Sequence, residues 1–225
     1  MNKLTATALL VASFIGCSQP DFANAHHGIN PNLVVSGYAA QCQADNQGVV
    51  VADSRNINVG GHQQQVVHMK AQGQTFAEVA IFDAGSTSTL TPFALTQPIQ
   101  FTVRNGNANW FNIIVFYNLP DSTTPVGSSW VTPTSKITGS NLSVLTSLGQ
   151  GKFAIPVGNG GIPFGAIIGG ILIQQGTNPN NCNNHRTDFN EIYINGYPVG
   201  ITTGSSACGT SCGGGEGDAS QDASD

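Results

Sequence analysis

The feature that most constrains this chain is the spacing of its turn-forming residues. Clusters rich in Gly, Asn, Asp, Pro and Ser recur at 28–32, 45–48, 60–61, 83–88, 105–106, 120–129, 158–161 and 177–184. Between them lie short β-branched or aromatic runs at 33–35, 48–52, 65–69, 76–82, 99–103, 110–117, 153–157, 166–174 and 191–194. Gly, Pro and Asx residues break helices and supply turn angles, whereas branched and aromatic side chains fit a pleated, half-buried surface. About nine strands with a turn after each is the pattern of an all-β sandwich or a jelly-roll-like antiparallel domain. Asn195-Gly196, followed by Tyr197-Pro198-Val199, predicts a two-residue type I′ hairpin. A helix has few places to sit, and the best candidate is Asn141 to Leu148, where Leu142, Leu145 and Leu148 are spaced three apart.

The first 25 residues read as a secretory signal: Met1-Asn2-Lys3 is a short positive start, and Leu4 to Gly16 is apolar but too short to span a bilayer. Ala23-Asn24-Ala25 is a small-x-small cleavage site that would leave His26 as the mature amino terminus. Phe14-Ile15-Gly16-Cys17 is a competing lipoprotein-like box that would leave a lipid-anchored Cys17, with Phe14 where an aliphatic residue is usual. Ala-x-Ala is the better match, so the expectation is a secreted or periplasmic protein with its β-domain over 26–203. The longest later apolar run, 162–173, is broken by Pro163 and three glycines, reads as buried strand and offers no transmembrane span. Beyond Gly204 the chain is rich in Gly, Ser and acidic residues, the composition of a disordered tail over 204–225.

Export fits the cysteines. With Cys17 set aside, Cys42, Cys182, Cys208 and Cys212 are an even number suited to an oxidising compartment. The three-residue gap in Cys208-Gly-Thr-Ser-Cys212 favours a small local loop, which leaves Cys42 to pair with Cys182. A zinc site, which needs four close ligands at characteristic spacings, is the rival reading and is set aside in favour of the disulfides.

Charged residues make up only 8% of the chain, and the six basic residues after position 25 are scattered in sequence, so no phosphate-binding patch is built from neighbours and nucleic acid is not an expected partner. Apart from the tail, the mature body balances seven acidic against six basic residues. That balance, with an amide-rich surface, points to a neutral polysaccharide or cell-surface glycan held by stacking and hydrogen bonds.

Three groups of residues are chemical candidates. The first is His26-His27-Gly28: a mature amino-terminal His offers an α-amine and an imidazole to one metal ion, and a second imidazole from His62, His185 or His68 completes a three-nitrogen site suited to copper. Over these three residues the start resembles that of the lytic polysaccharide monooxygenases, secreted β-sandwiches, which implies a copper enzyme acting on polysaccharide with Phe189 or Tyr193 as axial neighbour. The second is the segment from Cys182 to Tyr193, with His185, Arg186, Asp188 and Glu191. Strand periodicity places Phe189, Glu191 and Tyr193 on one face and Asp188, Asn190 and Ile192 on the other, which separates the two carboxylates and argues against a glycosidase pair; Arg186 and Asp188 are spaced for an ion pair. The third is aromatic: Trp130, Tyr193 and Tyr197 are candidates to stack on sugar rings. No nucleophile-elbow, zinc-protease or phosphate-loop motif is present. The resulting expectation is a non-enzymatic binding protein without a cofactor, with the copper enzyme and a lipid-anchored structural envelope protein as the alternatives.

Overall fold

The computed structural model describes residues 32–42, 48–73, 75–106, 110–119, 134–137, 146–158, 161–176 and 183–210. In chain order the strands are β1 (Leu33–Cys42), β2 (Gly48–Val59), β3 (His62–Ala71), β4 (Thr75–Asp83), β5 (Phe93–Leu95), β6 (Ile99–Gly106), β7 (Trp110–Asn118) and β8 (Thr134–Ile137). They continue with β9 (Thr146–Gly149), β10 (Lys152–Ile155), β11 (Ala166–Gly176), β12 (His185–Ile194), β13 (Tyr197–Pro198), β14 (Gly200–Ile201) and β15 (Ser205–Thr210). The chain is all-β, as the turn spacing requires. One sheet runs β14-β1-β4-β11-β7-β8 with β5 also on β11; the second runs β15-β2-β3-β12-β6-β10-β9 with β13 on β12.

Both sheets contribute to one core. Phe111 of the first sheet meets Phe189 of the second edge to face at 5.8 Å and Phe101 at 6.3 Å, and Phe101 in turn meets Phe153 at 5.8 Å. In the second sheet the core side chains alternate along each strand, with Val50 and Ala52, Val67 and Met69, and Ile99 and Phe101 buried, so the intervening residues point outward. The Asn195-Gly196 turn has positive φ at both positions, 52° and 78°, and pairs Ile194 with Tyr197, the type I′ geometry expected.

Three expectations are corrected. No helix occurs among the described residues; positions 141–145 of the helix candidate lie outside them, its last three residues belong to β9, which pairs with β10, and positive φ at Gly149, Gln150 and Gly151 makes the turn between the two strands. A cross-strand partner here outweighs the spacing of three leucines. The domain does not end at 203: β15 pairs with β2 from Ser205↔Asp53 to Thr210↔Gly48. Finally, Cys208 is bonded to Cys42, with Cα atoms 6.0 Å apart, rather than to Cys212, and Cys42 is therefore not joined to Cys182. The bridge links the last residue of β1 in one sheet to the edge strand of the other. A reading that ended the fold at 203 had no strand to bring Cys208 there. Cys182 and Cys212 lie outside the described residues. No helix is long and apolar enough to cross a membrane among the described residues.

Candidate binding face

The outward face of the second sheet carries most of the charged side chains in the described chain. Cross-strand partners in an antiparallel sheet share a face, and the register Ser205↔Asp53↔His68↔Asp188↔Asn105 runs as one row across β15, β2, β3, β12 and β6. Two residues along, Lys70 of β3 lies opposite Arg186 of β12; in the other direction Arg55 of β2 lies opposite Val66. Lys152 of β10 lies opposite Thr102 of β6, which lies opposite Asn190 of β12.

Two bulges add to this face. Asp188 pairs with Asn105 but Phe189 pairs with Val103, so Arg104 is an extra residue on β6; Asn190 pairs with Thr102 but Tyr193 with Gln100, so β12 also carries an extra residue, at Glu191. The shifts are on opposite strands and cancel, so pairing at Tyr193 returns to the register held at Asp188. The two inserted residues bond each other: Arg104 Nη2 lies 2.6 Å from Glu191 Oε1. Glu191 has φ of 49°, a left-handed conformation rare outside glycine. Its other oxygen accepts from the Thr102 hydroxyl at 2.7 Å, while Arg104 Nε donates to Asn190 Oδ1 at 2.9 Å and Asn190 Nδ2 donates to Gln64 Oε1 at 3.1 Å.

Beside this network sits a buried pair. His68 Nδ1 lies 2.5 Å from Asp188 Oδ1, and Asp188 Oδ2 accepts from Asn105 Nδ2 at 2.8 Å. Burial works to raise the Asp188 pKa, but the hydrogen bonds from His68 and Asn105 and the charges of His68 and Arg186 together hold it below the usual carboxylate range. Glu191 is also held low, chiefly by the Thr102 hydroxyl, against a small cost of burial and with help from Arg104 and Lys152. Asp188 and Glu191 thus share the outward face, contrary to simple strand periodicity, because the β12 bulge turns Glu191 out while Phe189 stays in the core at 0% exposure. Both carboxyls are stabilised as anions, and a glycosidase pair needs one that keeps its proton. The partner nearest Asp188 is His68, where the sequence suggested Arg186.

The other sequence candidates are dispersed. His62 begins β3 at the exposed hairpin tip, whereas His185 lies opposite Ala71 at the far end of the same strand, roughly 30 Å away for nine residues of extended chain. One metal ion therefore takes at most one of them. His68 is committed to Asp188, Phe189 is core, and among the described residues no three His, Cys, Asp or Glu side chains form a metal-binding group. His26 and Trp130 lie outside the described residues. Tyr193 and Tyr197 are 37% and 38% exposed, but Tyr193 lies opposite Pro198 and Tyr197 opposite Ile194, so the two rings point to different faces of their hairpin. Tyr193, opposite Gln100, joins the charged face.

Arg104, Thr102, Lys70, Lys152 and Asn105 were not singled out by sequence reasoning, and His68 and Asp188 were named there but not as partners of each other. The available signal was weak: polar residues at alternate positions, as in Asp53 and Arg55 or His68 and Lys70. Comparison with protein-family models, with curated proteins and with solved structures finds no match.

Proposed function

We propose that this chain is a non-enzymatic binding protein, a β-sandwich exported to an oxidising compartment, that holds a glycan on the outward face of its second sheet. The carrying observation is the double bulge. It puts a strained, partly exposed Glu191 on the outward side of the sheet, fixes it between Arg104 and Thr102, and leaves exposed Tyr193, Gln100 and Asn105 around it. Strained strand residues persist where surrounding contacts over-determine them, and such places are often used for recognition. An exposed aromatic ring with amides and fixed charges beside it suits a sugar ring and its hydroxyls. Binding rather than catalysis is favoured because Asp188 and Glu191 are both held as anions by fixed partners. The Cys42–Cys208 bridge supports export.

The test is retention of the exported protein on a panel of immobilised polysaccharides, wild type against Tyr193→Ala. Loss of about 1 kcal/mol, roughly fivefold in affinity, is expected from removing one stacking ring. If no polysaccharide is retained, or if the substitution changes nothing, this face is not a glycan site.

A further inference from the structure

We infer that the ligand of this face is an anionic polysaccharide, one carrying carboxylate or sulfate groups along its length, rather than a neutral one. The inference rests on the binding-face reading above. The expectation of a neutral ligand came from the near balance of seven acidic and six basic residues over the body, and folding distributes those charges unevenly. Of the six basic residues after position 25, Arg55, Lys70, Arg104, Lys152 and Arg186 stand on strands of the second sheet. Register and contacts put all five on its outward side. Three carboxylates share that side, Asp53, Asp188 and Glu191, so with neutral histidines the face is net positive by two charges in a chain whose formal net charge is −5.

The pairing within the face decides where an anion goes. Arg55 bonds Asp53 at 2.8 Å, Arg104 is taken by Glu191 and Asn190, and Asp188 is taken by His68 and Asn105. Lys70 and Lys152 make no ion pair among the described residues. Three strand spacings and about four residues of rise separate them, a diagonal of roughly 20 Å. That length suits several sugars of an extended chain, with an anionic group at each lysine and the Glu191–Arg104 pair and Tyr193 along the side. A nucleic acid fits worse. Its phosphates come at close, regular spacing and would be carried over Glu191, whereas a polysaccharide alternates anions with hydroxyls that donate to a carboxylate.

The experiment measures binding of the full exported chain to heparin (sulfated), polygalacturonate (carboxylated), dextran (neutral) and a DNA duplex, for wild type, Tyr193→Ala and Lys70→Gln/Lys152→Gln, with circular dichroism to confirm that each variant folds. Both lysines sit at the rim of the network, so the double variant keeps the core. The expected result is binding to one or both anionic polysaccharides, about tenfold weaker in the double variant and similarly weakened by raising salt from low to high; which polymer is preferred tells sulfate from carboxylate recognition. Dextran bound as tightly as the anionic polymers and insensitive to the lysines, but lost in Tyr193→Ala, overturns the inference and leaves the binding-face reading standing. Tighter binding of DNA than of either anionic polysaccharide overturns the choice of partner, and retention of none of the four overturns both.

Discussion

The Cys42–Cys208 bridge gives the most quantitative test of the fold. It closes a separation of 166 residues; in the chain-entropy model a loop of that size removes enough freedom from the unfolded chain to stabilise the protein by about 5 kcal/mol at 25 °C. The local Cys208–Cys212 loop suggested by sequence spacing would be worth only about 2 kcal/mol by the same relation. Cys208→Ala therefore separates the two pairings. Urea unfolding followed by tryptophan fluorescence should show Cys42→Ala and Cys208→Ala each lowering the midpoint by roughly 2 M, and the double variant costing no more than either single one, because both remove the same bond. Peptide mapping of each variant without reduction guards against a freed thiol finding a new partner. Additive losses, a Cys208→Ala cost near 2 kcal/mol, or a wild-type peptide joining Cys208 to Cys212 would refute the reasoning.

Three further outcomes follow from particular groups. Glu78, 2% exposed and bonded by Gln174, is raised above its ordinary pKa of 4.5, by burial against the pull of that hydrogen bond. A raised carboxyl keeps its proton longer in the folded chain, so stability is full below the unfolded value and falls as pH rises through the folded one; Glu78→Gln should raise Tm at pH 8 and have little effect at pH 4, and equal effects at both would sink the assignment. Tyr38 is pushed up to about 12, mainly by burial, and its hydroxyl donates to Thr202 O at 2.9 Å. By the same sign rule stability should fall between pH 10 and 12 by up to about 3 kcal/mol, and alkaline titration of Tyr38→Phe should lack that limb. At Glu191, with φ of 49°, Ala removes the side-chain bonds and keeps the strain, so Glu191→Gly should be more stable than Glu191→Ala by about 1 kcal/mol; chemical denaturation showing Ala equal or better would mean that the backbone there is relaxed.

Much of the fold was legible because its signals are local. The turn clusters and branched runs mark β1 to β4, β6, β7 and β10 to β12, and Asn195-Gly196 fixes its hairpin because only residues tolerant of positive φ fit both turn positions. What was misread depends on partners distant in sequence. Ser205–Thr210 contains Gly, Ser and Cys and looks like a tail until β2, about 150 residues earlier, supplies the ladder. Gly209 shows how closely that edge is fitted: at φ of 104° a Cβ there would stand 1.8 Å from the Gly48 carbonyl oxygen and 3.0 Å from Cys42 Sγ, so glycine is required where β15, β2 and the disulfide converge.

The candidate face was illegible for a sharper reason. Strand periodicity assigns faces by counting in twos, and one inserted residue reverses every assignment after it. On β12 the count holds to Asn190, fails at Glu191 and resumes with Ile192 in the core and Tyr193 outside, so a regular strand wrongly groups Phe189 with Glu191. The insertion on β12 would by itself leave the strand out of step with β6. It is accommodated because β6 inserts Arg104 three residues away in the ladder, and the guanidinium meets the carboxylate that the other bulge turns outward. Neither insertion carries a sequence mark: Arg104 stands in Val103-Arg104-Asn105 and Glu191 in Asn190-Glu191-Ile192, ordinary strand contexts without Gly or Pro at the bulge. The ion pair and the two bulges are thus one device, and removing either charge should loosen both register shifts together. Amide exchange along β6 and β12 on either side of the bulges reports this: Arg104→Leu and Glu191→Leu should accelerate the same set of amides, and two separate sets would show that the bulges are held independently.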